Sequence, residues 1–481
     1  MSMTNVLFPG IMERAVMRRY LISVIGVILL ITVSLSTASP ADYDKGYEIG
    51  LEAYTYGLPL LVTNTTFATM TSVDVSNGTF GPVNQFNNVR SLNDPGSTEV
   101  VAPGSNGLSS IAWVDLSKEP QVLHVPEVQD HFYVLGFIDP YTNNILNLGS
   151  VNATKPGEYV ISSPDQQDVS IPEGTNRINV DYHRIWIIGS TQLKGNSDTP
   201  NVTRIQDGYT LTPLSQYGTN YQPKNQTNPR TNIQYYQMPE GLDFYDMLGQ
   251  QLEMFPPPAA DTPALSRFAE VRIGPGKKPS QDTQLSNDTV RGLKDAIAAG
   301  PAQIKNDTGT LFDSGFDMHN GYLVGGFGQY GTDYMKRAVI SQIGLGAFTS
   351  EQAIFGISYA DHEKNPLNGS TNYVLHLESA PPVNEGWTLT AYDLEGRLIP
   401  NSINRYEISD KSELTQNADG SMDIYLQSEQ PSDPNLVNNW LPTASGQGFE
   451  IIWRLMAPES DTITGIINGT GWELPAITAV S

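Results

Sequence analysis

Two long blocks of the chain alternate apolar and polar residues with a period of two, and a block without that period separates them. The first block runs from about residue 100 to 215 and contains the segments QVLHVPEV, HFYVLGFID and HRIWIIGS. The second runs from about residue 370 to the end and contains NYVLHLE, WTLTAYDLEG and GFEIIWRLMAP. A period of two is typical of strands, and many short strands separated by turns build sandwiches or barrels. The pattern therefore predicts two β domains.

The segments outside these blocks carry helical signals. Tyr47, Leu51 and Tyr54 recur at helical spacing in residues 42–63, where Gly57-Leu58-Pro59 predicts the end of a helix. Amphipathic patterns and N-cap residues predict further helices after the first β block. These helices are expected over 241–255, over 286–300 with Ser286 as the N-cap and Gly300 as the stop, over 332–346 with Thr332 as the N-cap, and as one more turn over 349–356.

A polar segment and the chain length support a division into domains. Residues 216–240 carry almost no aliphatic side chains and resemble a surface linker, and 481 residues are enough for two or three domains. We therefore expect a mainly β (α+β) protein with two β-sandwich or jelly-roll-like domains, a helical segment that joins them, and an N-terminal helix. The expected boundaries are 1–41 for a signal peptide, 42–215 for the N-terminal β domain with its leading helix, 216–345 for the linker and helical segment, and 346–481 for the C-terminal domain.

The N-terminal region has the features of a secretory signal peptide. From Met17 it reads MRRYLISVIGVILLITVSLSTASPAD, in which two arginines precede a short apolar stretch and a run of small residues. We expect cleavage after Ala38 or Ala41, with a retained membrane anchor as the alternative. Residues 1–16 resemble an over-extended start. The protein is therefore expected to be secreted or at the cell surface, with membrane contact through this segment only.

Charge and cysteine content exclude several classes of partner and site. The formal net charge of −24 argues against nucleic acid, because a polyanion would be repelled over most of the surface. The chain has no cysteine, which excludes disulfides, thiolate metal sites and a cysteine nucleophile. Asn-x-Ser/Thr sequons fit an exported protein and mark candidate glycosylation sites. They lie at Asn64, Asn77, Asn152, Asn201, Asn225, Asn287, Asn306, Asn368 and Asn468.

No motif in the chain identifies a reaction, so the sequence leaves open whether the protein is an enzyme. The chain has no GxSxG nucleophile motif and no phosphate-binding loop that ends in Lys-Ser/Thr, and no cofactor is expected. The candidates for acid–base catalysis are the carboxylates of Asp115 and Asp333. The histidines show no metal-ligand spacing, and we expect them to be structural. They are His124, His131, His183, His319, His362 and His376.

Aromatic, guanidinium and amide side chains cluster within residues 387–440. A cleft for a sugar or another polar organic ligand uses such groups, because rings supply stacking area and amides supply hydrogen bonds. The alternative is that they build turns and the core of the second sandwich. Elsewhere, Trp113 lies on a predicted strand, and Arg337 follows a glycine-rich segment where a helix N-terminus could bind an anion. The candidate ligand-binding residues are Trp387, Tyr392, Asn401, Asn404, Arg405, Tyr406, Trp440, Trp113 and Arg337.

Several segments resemble two domain families of unknown function that occur joined in one chain. GWTLTAYDLEGRLIPNSINRYEI, DGSMDIYLQ, NWLP and GFEIIWRLMAP are similar to the DUF1214 family. GPVNQFNNVRSLNDP, AWVDLSKEPQVLHVPEV and FYVLGFIDPYTNNILNLG are similar to the DUF1254 family. The resemblance implies two β-rich domains joined by helices, generally in exported or envelope proteins, and it brings no established reaction.

Three functions are compatible with these features. The first is a secreted or cell-surface protein that binds a polar organic ligand or glycan in a cleft of the C-terminal domain. The second is an extracellular hydrolase or other polymer-modifying enzyme that uses carboxylates. The third is a structural component of the cell envelope. The oligomeric state stays open.

Overall fold

The structure, a computed structural model, is mainly β and of the α+β class, with an N-terminal helix as the sequence predicts. It describes residues 40–97, 102–104, 106–223, 228–313, 318–319, 322–323, 327–468 and 470–480. The predicted signal segment, up to residue 39, lies outside these residues. In the described part of the chain, no helix combines the length and the apolar character that are needed to cross a membrane.

The first sandwich consists of a five-stranded and a four-stranded sheet. Its strands are β1 (Asn87–Asn88), β2 (Gly107–Asp115), β3 (Gln121–Val125), β4 (Tyr133–Ile138), β5 (Asn144–Gly149), β6 (Gly157–Ser162), β7 (Asn176–Asn179), β8 (Arg184–Gln192) and β9 (Thr210–Pro213). The larger sheet has the order β1-β2-β8-β4-β5 and the smaller one the order β7-β6-β3-β9. Val114 and Ile187 of the larger sheet share a core with Leu123 and Ile161 of the smaller one.

The second sandwich pairs a six-stranded sheet with a four-stranded sheet. Its strands are β10 (Met318–His319), β11 (Tyr322–Leu323), β12 (Ala353–Ser358), β13 (Asn372–Leu377), β14 (Trp387–Asp393), β15 (Glu407–Ser409), β16 (Met422–Gln427), β17 (Trp440–Pro442), β18 (Phe449–Met456) and β19 (Ile477–Val480). The sheet orders are β10-β11-β12-β18-β14-β15 and β17-β16-β13-β19. Leu389 and Trp453 of the first sheet pack with Leu375 and Ile424 of the second.

The helices of the described chain are α1 (Pro40–Met70), α2 (Thr199–Gly208), α3 (Asp243–Met254), α4 (Thr262–Ala269), α5 (Asn287–Asp313), α6 (Tyr334–Ile343) and α7 (Ser460–Asn468). Helices α1 and α3 to α6 form a layer beside the first sandwich, α2 packs at its edge, and α7 packs against the second sandwich. The C-terminal part of α1 packs Phe67 against Trp113 of β2. Helices α1 and α5 approach closely where glycines face the neighbouring backbone. A Cβ atom on Gly46 would lie 2.5 Å from the carbonyl oxygen of Thr289.

Two predicted helix ends and one predicted helical turn are wrong because packing overrides the local signal. Helix α1 continues through Pro59 to Met70. A proline inside a helix costs about 3 kcal/mol, whereas burial of Leu58, Leu60 and Leu61 contributes about 2 kcal/mol per side chain. Helix α5 likewise continues past Pro301. The predicted helical turn over 349–356 instead enters strand β12, which pairs with β18.

The two sandwiches contact each other directly. Phe132 and Val134 of the first share an apolar cluster with Ala353 and Met456 of the second. Residues 102–104, which precede β2, also lie against the second sandwich. Contacts from both domains therefore fix the junction at which a groove forms.

Candidate functional site

The structure places both C-terminal candidate tryptophans in the core of the second sandwich. Only 3% of Trp387 is exposed, and its ring centroid lies 5.3 Å from that of Trp453. Trp440 is also buried, and its Nε1 donates a hydrogen bond to the carbonyl oxygen of Gln427 at 2.8 Å. Because neither ring presents a free face, these tryptophans are not placed to stack on a sugar.

Asn401, Asn404 and Tyr406 hold the turn between β14 and β15. The Asn401 side chain accepts a hydrogen bond from the backbone N–H of Arg405 at 3.0 Å and donates one to the Arg405 carbonyl at 2.8 Å. Asn404 adopts a positive φ of 51°, and its side chain accepts a hydrogen bond from the Tyr406 hydroxyl. The amides thus satisfy local groups, as the structural alternative predicts.

Arg405 binds the turn to the segment that precedes β17. Its Nη1 donates hydrogen bonds to the carbonyl oxygens of Val437 and Trp440, at 2.5 and 2.9 Å. Partial burial lowers the pKa of the guanidinium. Since Nη1 already donates to backbone carbonyl oxygens, Arg405 stabilises the contact between the turn and the segment before β17.

Tyr392 connects the two domains. It is fully buried on β14, and its hydroxyl donates a hydrogen bond to the carbonyl oxygen of Pro103 at 2.8 Å. The neighbouring Arg454 donates to the carbonyl oxygen of Ala102 at 2.8 Å. Tyr392 therefore stabilises the domain junction.

Trp113 and Arg337 lie on the side of the first sandwich that the helices cover. The Trp113 ring stacks on Trp186, with a centroid distance of 4.8 Å and an interplanar angle of 6°. Arg337 is buried on α6 and donates to the carbonyl oxygen of Gly331 at 2.6 Å. Its guanidinium lies beside the ring of Tyr141. Arg337 is thus enclosed by protein, whereas Trp113 lines a small cavity beside α1.

Both carboxylates proposed for catalysis stabilise local structure. Asp115 accepts the backbone N–H of Ser117 at 2.9 Å and so holds a turn. Asp333 is the N-cap of α6 and accepts the backbone N–H of Lys336 at 3.0 Å. The cap is therefore Asp333 rather than the predicted Thr332. Neither carboxylate lines the small cavity beside Trp113 or the interdomain groove described below.

The described histidines make separate contacts. Four of them each lie within 2.9 Å of a different carboxylate, and no group of three metal-ligating side chains occurs in the described residues. The contacts are His124 with Glu158, His131 with Asp198, His183 with Asp165, His376 with Asp423, and His362 with the carbonyl oxygen of Ile477. His319 lies on β10.

The sequons differ in accessibility. Asn64 lies inside α1, and its side chain accepts a hydrogen bond from Arg184, so a glycan there would break this contact. Asn368 is half-buried. Asn225 lies outside the described residues, as does the side chain of Asn468. The exposed sequons are Asn77, Asn152, Asn201, Asn287 and Asn306.

A groove of about 470 Å³ lies at the junction of the two domains. This volume is within the range of roughly 300–1,000 Å³ that small-molecule sites occupy. The first domain contributes residues before β4 and around the end of β8, and the second contributes the loop before β14 with the first residue of that strand and the residues after β15. The lining residues are Asp130, His131, Phe132, Gln192, Leu193, Lys194, Ala380, Pro381, Val383, Asn384, Glu385, Gly386, Trp387, Asp410 and Lys411.

Hydrogen bonds hold several charged groups of the groove in place. Nδ1 and Nε2 of His131 lie 2.8 Å from the Gln129 carbonyl oxygen and from the Asp198 carboxylate, respectively. The Lys411 ammonium donates to the carbonyl oxygen of Leu193 at 2.9 Å, across the two domains. Asp410 accepts the backbone N–H of Trp387. Contacts within the protein itself therefore hold these groove side chains in place.

Glu385 differs from its neighbours in the groove. Desolvation raises the pKa of its carboxyl group, although the charge of Lys411 acts in the opposite direction. No hydrogen bond or ion pair to its carboxylate is found among the described residues. A desolvated acid in a cleft is a common feature of binding and catalytic sites.

The residues that define the groove are absent from the predicted site, with the exception of Trp387. They come from four segments that are far apart in the sequence and carry no shared motif. Lys194 and Lys411 lie in polar turns that resemble many other turns of the chain. No local sequence pattern distinguishes these two lysines from others. Only the folded structure shows that they lie in the same groove.

Two family models match the chain. The model described as "Protein of unknown function (DUF1254)" matches residues 83–213, which include strands β1 to β9. The model described as "Protein of unknown function (DUF1214)" matches residues 352–460, which include strands β12 to β18. The groove lies between these two matched regions.

The chain is also similar to solved structures. The crystal structure of the VPA0106 protein from Vibrio parahaemolyticus shares 19% sequence identity and has a TM-score of 0.64, over 91% of this chain and 100% of that chain. An uncharacterized protein from Burkholderia cenocepacia shares 13% identity with a TM-score of 0.41, over 92% and 96% of the two chains. The first similarity shows a common fold. A comparison with curated proteins gives no match.

Because both family models match, the chain belongs to the proteins that join a DUF1254 domain to a DUF1214 domain.

Proposed function

We propose that the protein is an exported binding protein whose interdomain groove holds a small polar ligand, either a glycan unit or a charged organic molecule. The observation that carries this proposal is a groove of ligand size lined by charges of both signs. Acidic Asp130, Glu385 and Asp410 line the same space as basic Lys194 and Lys411. A molecule with several donors and acceptors fits such a lining better than an apolar one does.

The groups in the groove are arranged to bind without large movement. Lys411 and Asp410 are fixed by backbone contacts, so their side chains lose little further entropy when a ligand binds. Glu385 supplies a carboxylate that is partly desolvated and is not engaged by another described residue. Hydrogen bonds to a charged group contribute more than neutral ones. Glu385 and Lys194 are therefore the side chains on which ligand affinity should depend most.

The proposed groove can be tested with a ligand screen and two variants. Thermal shift of the purified protein against saccharides and small zwitterionic or acidic metabolites identifies a ligand, and calorimetry measures its affinity. We expect Glu385→Gln and Lys194→Ala each to weaken binding at least tenfold. Lys118→Ala and Glu429→Gln are matched controls, because both side chains are exposed and lie outside the groove. Equal affinity in the groove variants and the controls would show that the ligand binds elsewhere.

Export is supported by the sequence of the N-terminal region. The basic, apolar and small residues of 17–41 follow the order of a signal peptide, and the absence of cysteine leaves the fold independent of the redox compartment. Mass spectrometry of the N-terminal peptide of protein recovered from the extracytoplasmic fraction tests this point. We expect a mature chain that begins at Ser39 or Asp42. Recovery of uncleaved chain from the cytoplasm alone would contradict export.

A further inference from the structure

Most charged side chains of the interdomain groove already have partners within the protein. Oδ1 of Asp410 accepts a hydrogen bond from a backbone N–H at 3.1 Å, and the Lys411 ammonium donates one to a backbone carbonyl oxygen at 2.9 Å. The Lys194 ammonium lies 4.0 Å from the Asp130 carboxylate, and both side chains are exposed. A ligand that met only these groups would compete with contacts that the fold already provides.

The carboxylate of Glu385 is the exception among the described residues of the groove. The residue is half-buried, and desolvation raises the pKa of its carboxyl group. The charge of Lys411 acts on it, yet no hydrogen bond or ion pair to either carboxylate oxygen is found in the described part of the chain. A carboxylate that has lost part of its hydration and has gained no protein donor is stabilised by a donor from a ligand.

The backbone next to Glu385 is fixed by contacts on both sides. The backbone N–H of Glu385 donates to the carbonyl oxygen of Met456, and the carbonyl oxygen of Gly386 accepts the backbone N–H of Met456. Gly386 has a positive φ of 100°, and a Cβ atom there would lie 2.6 Å from Oδ1 of Asp410. The loop before β14 is thereby fastened to β18 and to the residues after β15, so the position from which the Glu385 side chain reaches the groove is defined.

The balance of charge favours a cationic ligand. Three acidic side chains, those of Asp130, Glu385 and Asp410, stand against two lysines among the described lining residues. The formal net charge of the chain is −24, so its field attracts cations and repels anions. Since the unpaired group of the groove is itself a carboxylate, the local and the long-range electrostatics favour the same sign of charge on the ligand.

We propose that the groove binds its ligand through a protonated primary amine, which donates charge-assisted hydrogen bonds to Glu385. This inference rests on the proposed function, because it assigns a ligand class to the same groove. An ammonium group carries three N–H donors, whereas a carboxylate only accepts, so the two are complementary. Phe132, Pro381 and Val383 also line the groove and provide apolar surface for the carbon skeleton that carries the amine. The volume of about 470 Å³ holds an amino sugar or a short alkyl amine.

Calorimetric titration of the purified protein with matched pairs of ligands tests the role of the amine. The pairs are glucosamine with glucose, and diaminobutane with butanediol. Within each pair, hydroxyl groups replace the amines at nearly constant size. We expect the amine of at least one pair to bind saturably and its alcohol to bind at least tenfold more weakly. The trimethylated form of that amine keeps the positive charge without N–H donors, and it should also bind at least tenfold more weakly.

Variants assign the effect to one carboxylate. Glu385→Gln keeps the size of the side chain and removes its charge, so the amine should bind at least tenfold more weakly and lose its advantage over the alcohol. Glu385→Asp keeps the charge on a shorter side chain and should bind the amine with intermediate affinity. Glu429 is exposed and lies outside the groove, so Glu429→Gln should bind the amine as the natural protein does.

The outcomes distinguish this inference from the proposed function. Equal binding of amine and alcohol, or full affinity for the amine in Glu385→Gln, would overturn the inference. Failure of every amine to saturate the natural protein would also overturn it. If a neutral or anionic ligand then bound the groove and depended on Lys194, the proposed function would still stand. Saturable binding of ligands only at a site away from the groove would overturn both.

Discussion

At the level of single residues, two buried carboxyl groups should dominate the response of the fold to pH. Only 5% of Asp139 and 4% of Glu450 is exposed. Desolvation raises the pKa of Asp139 to about 6 and that of Glu450 to about 7, although hydrogen bonds and nearby arginines act in the opposite direction. Unfolded Asp and Glu titrate near pH 4. Between about pH 4 and 7, the folded state therefore binds protons that the unfolded state releases.

The free energy of unfolding should consequently rise as the pH falls from 8 to about 5. A pKa difference of one unit corresponds to about 1.4 kcal/mol, so the change is large enough to measure by urea unfolding. His376 acts in the same direction, because its hydrogen bond to Asp423 raises its pKa. Comparison of the natural protein with Asp139→Asn and Glu450→Gln therefore isolates the two acids. Unchanged pH dependence in both variants would contradict the assignment.

The chemistry of a residue can be predicted from its type, whereas its partner cannot. Arg405 is suited to bind a polar ligand, yet in the folded chain its donors meet the carbonyl oxygens of residues 437 to 440. Tyr392 meets the carbonyl oxygen of Pro103, 289 positions away. Such partners are set by the packing of distant strands. Arg184, in contrast, has no motif around it, and its exposure to a cavity follows only from the position of α1 over the larger sheet.

At the level of helices and strands, local patterns predict the elements better than their ends. Strands β3, β4 and β8 lie where the period of two predicts them, because side-chain alternation is a local property of an extended chain. Helix ends depend on what covers them. The leucines around Pro59 are buried, so α1 extends beyond the predicted stop. The helix signal over 349–356 is likewise overridden by pairing of β12 with β18.

The N-cap of α6 gives a quantitative test at this level. Asp333 is exposed and accepts the backbone N–H of Lys336, which would otherwise lack an intrahelical partner. Asp333→Ala should therefore reduce the free energy of unfolding by about 1 kcal/mol. Asp333→Ser retains a capping oxygen and should stay close to the natural protein. If Asp333→Ala were instead as stable as the natural protein and bound ligand more weakly, Asp333 would be a ligand-binding residue. That result would contradict its role as a helix cap.

At the level of the whole molecule, the interdomain groove is the feature least accessible to sequence reasoning. Its charged residues come from around positions 130, 194, 385 and 410, on loops of two separate sandwiches. No window of the sequence contains them together. The domain organisation, in contrast, is visible in the sequence, because each sandwich carries its own run of alternating strands and its own family resemblance. The sequence therefore predicts membership of the two-domain family, which the family models confirm, whereas the cleft that it predicts in the C-terminal domain stays a prediction.

Hydrogen exchange of the protein with and without a ligand from the screen locates the binding site in solution. A ligand in the groove should slow amide exchange on both sides of the junction at once, in residues 129–132 and 192–194 of the first domain and in residues 383–387 and 410–411 of the second. Protection should disappear in Glu385→Gln at the same ligand concentration. Protection confined to one domain, or located away from these four segments, would contradict a ligand site between the two sandwiches.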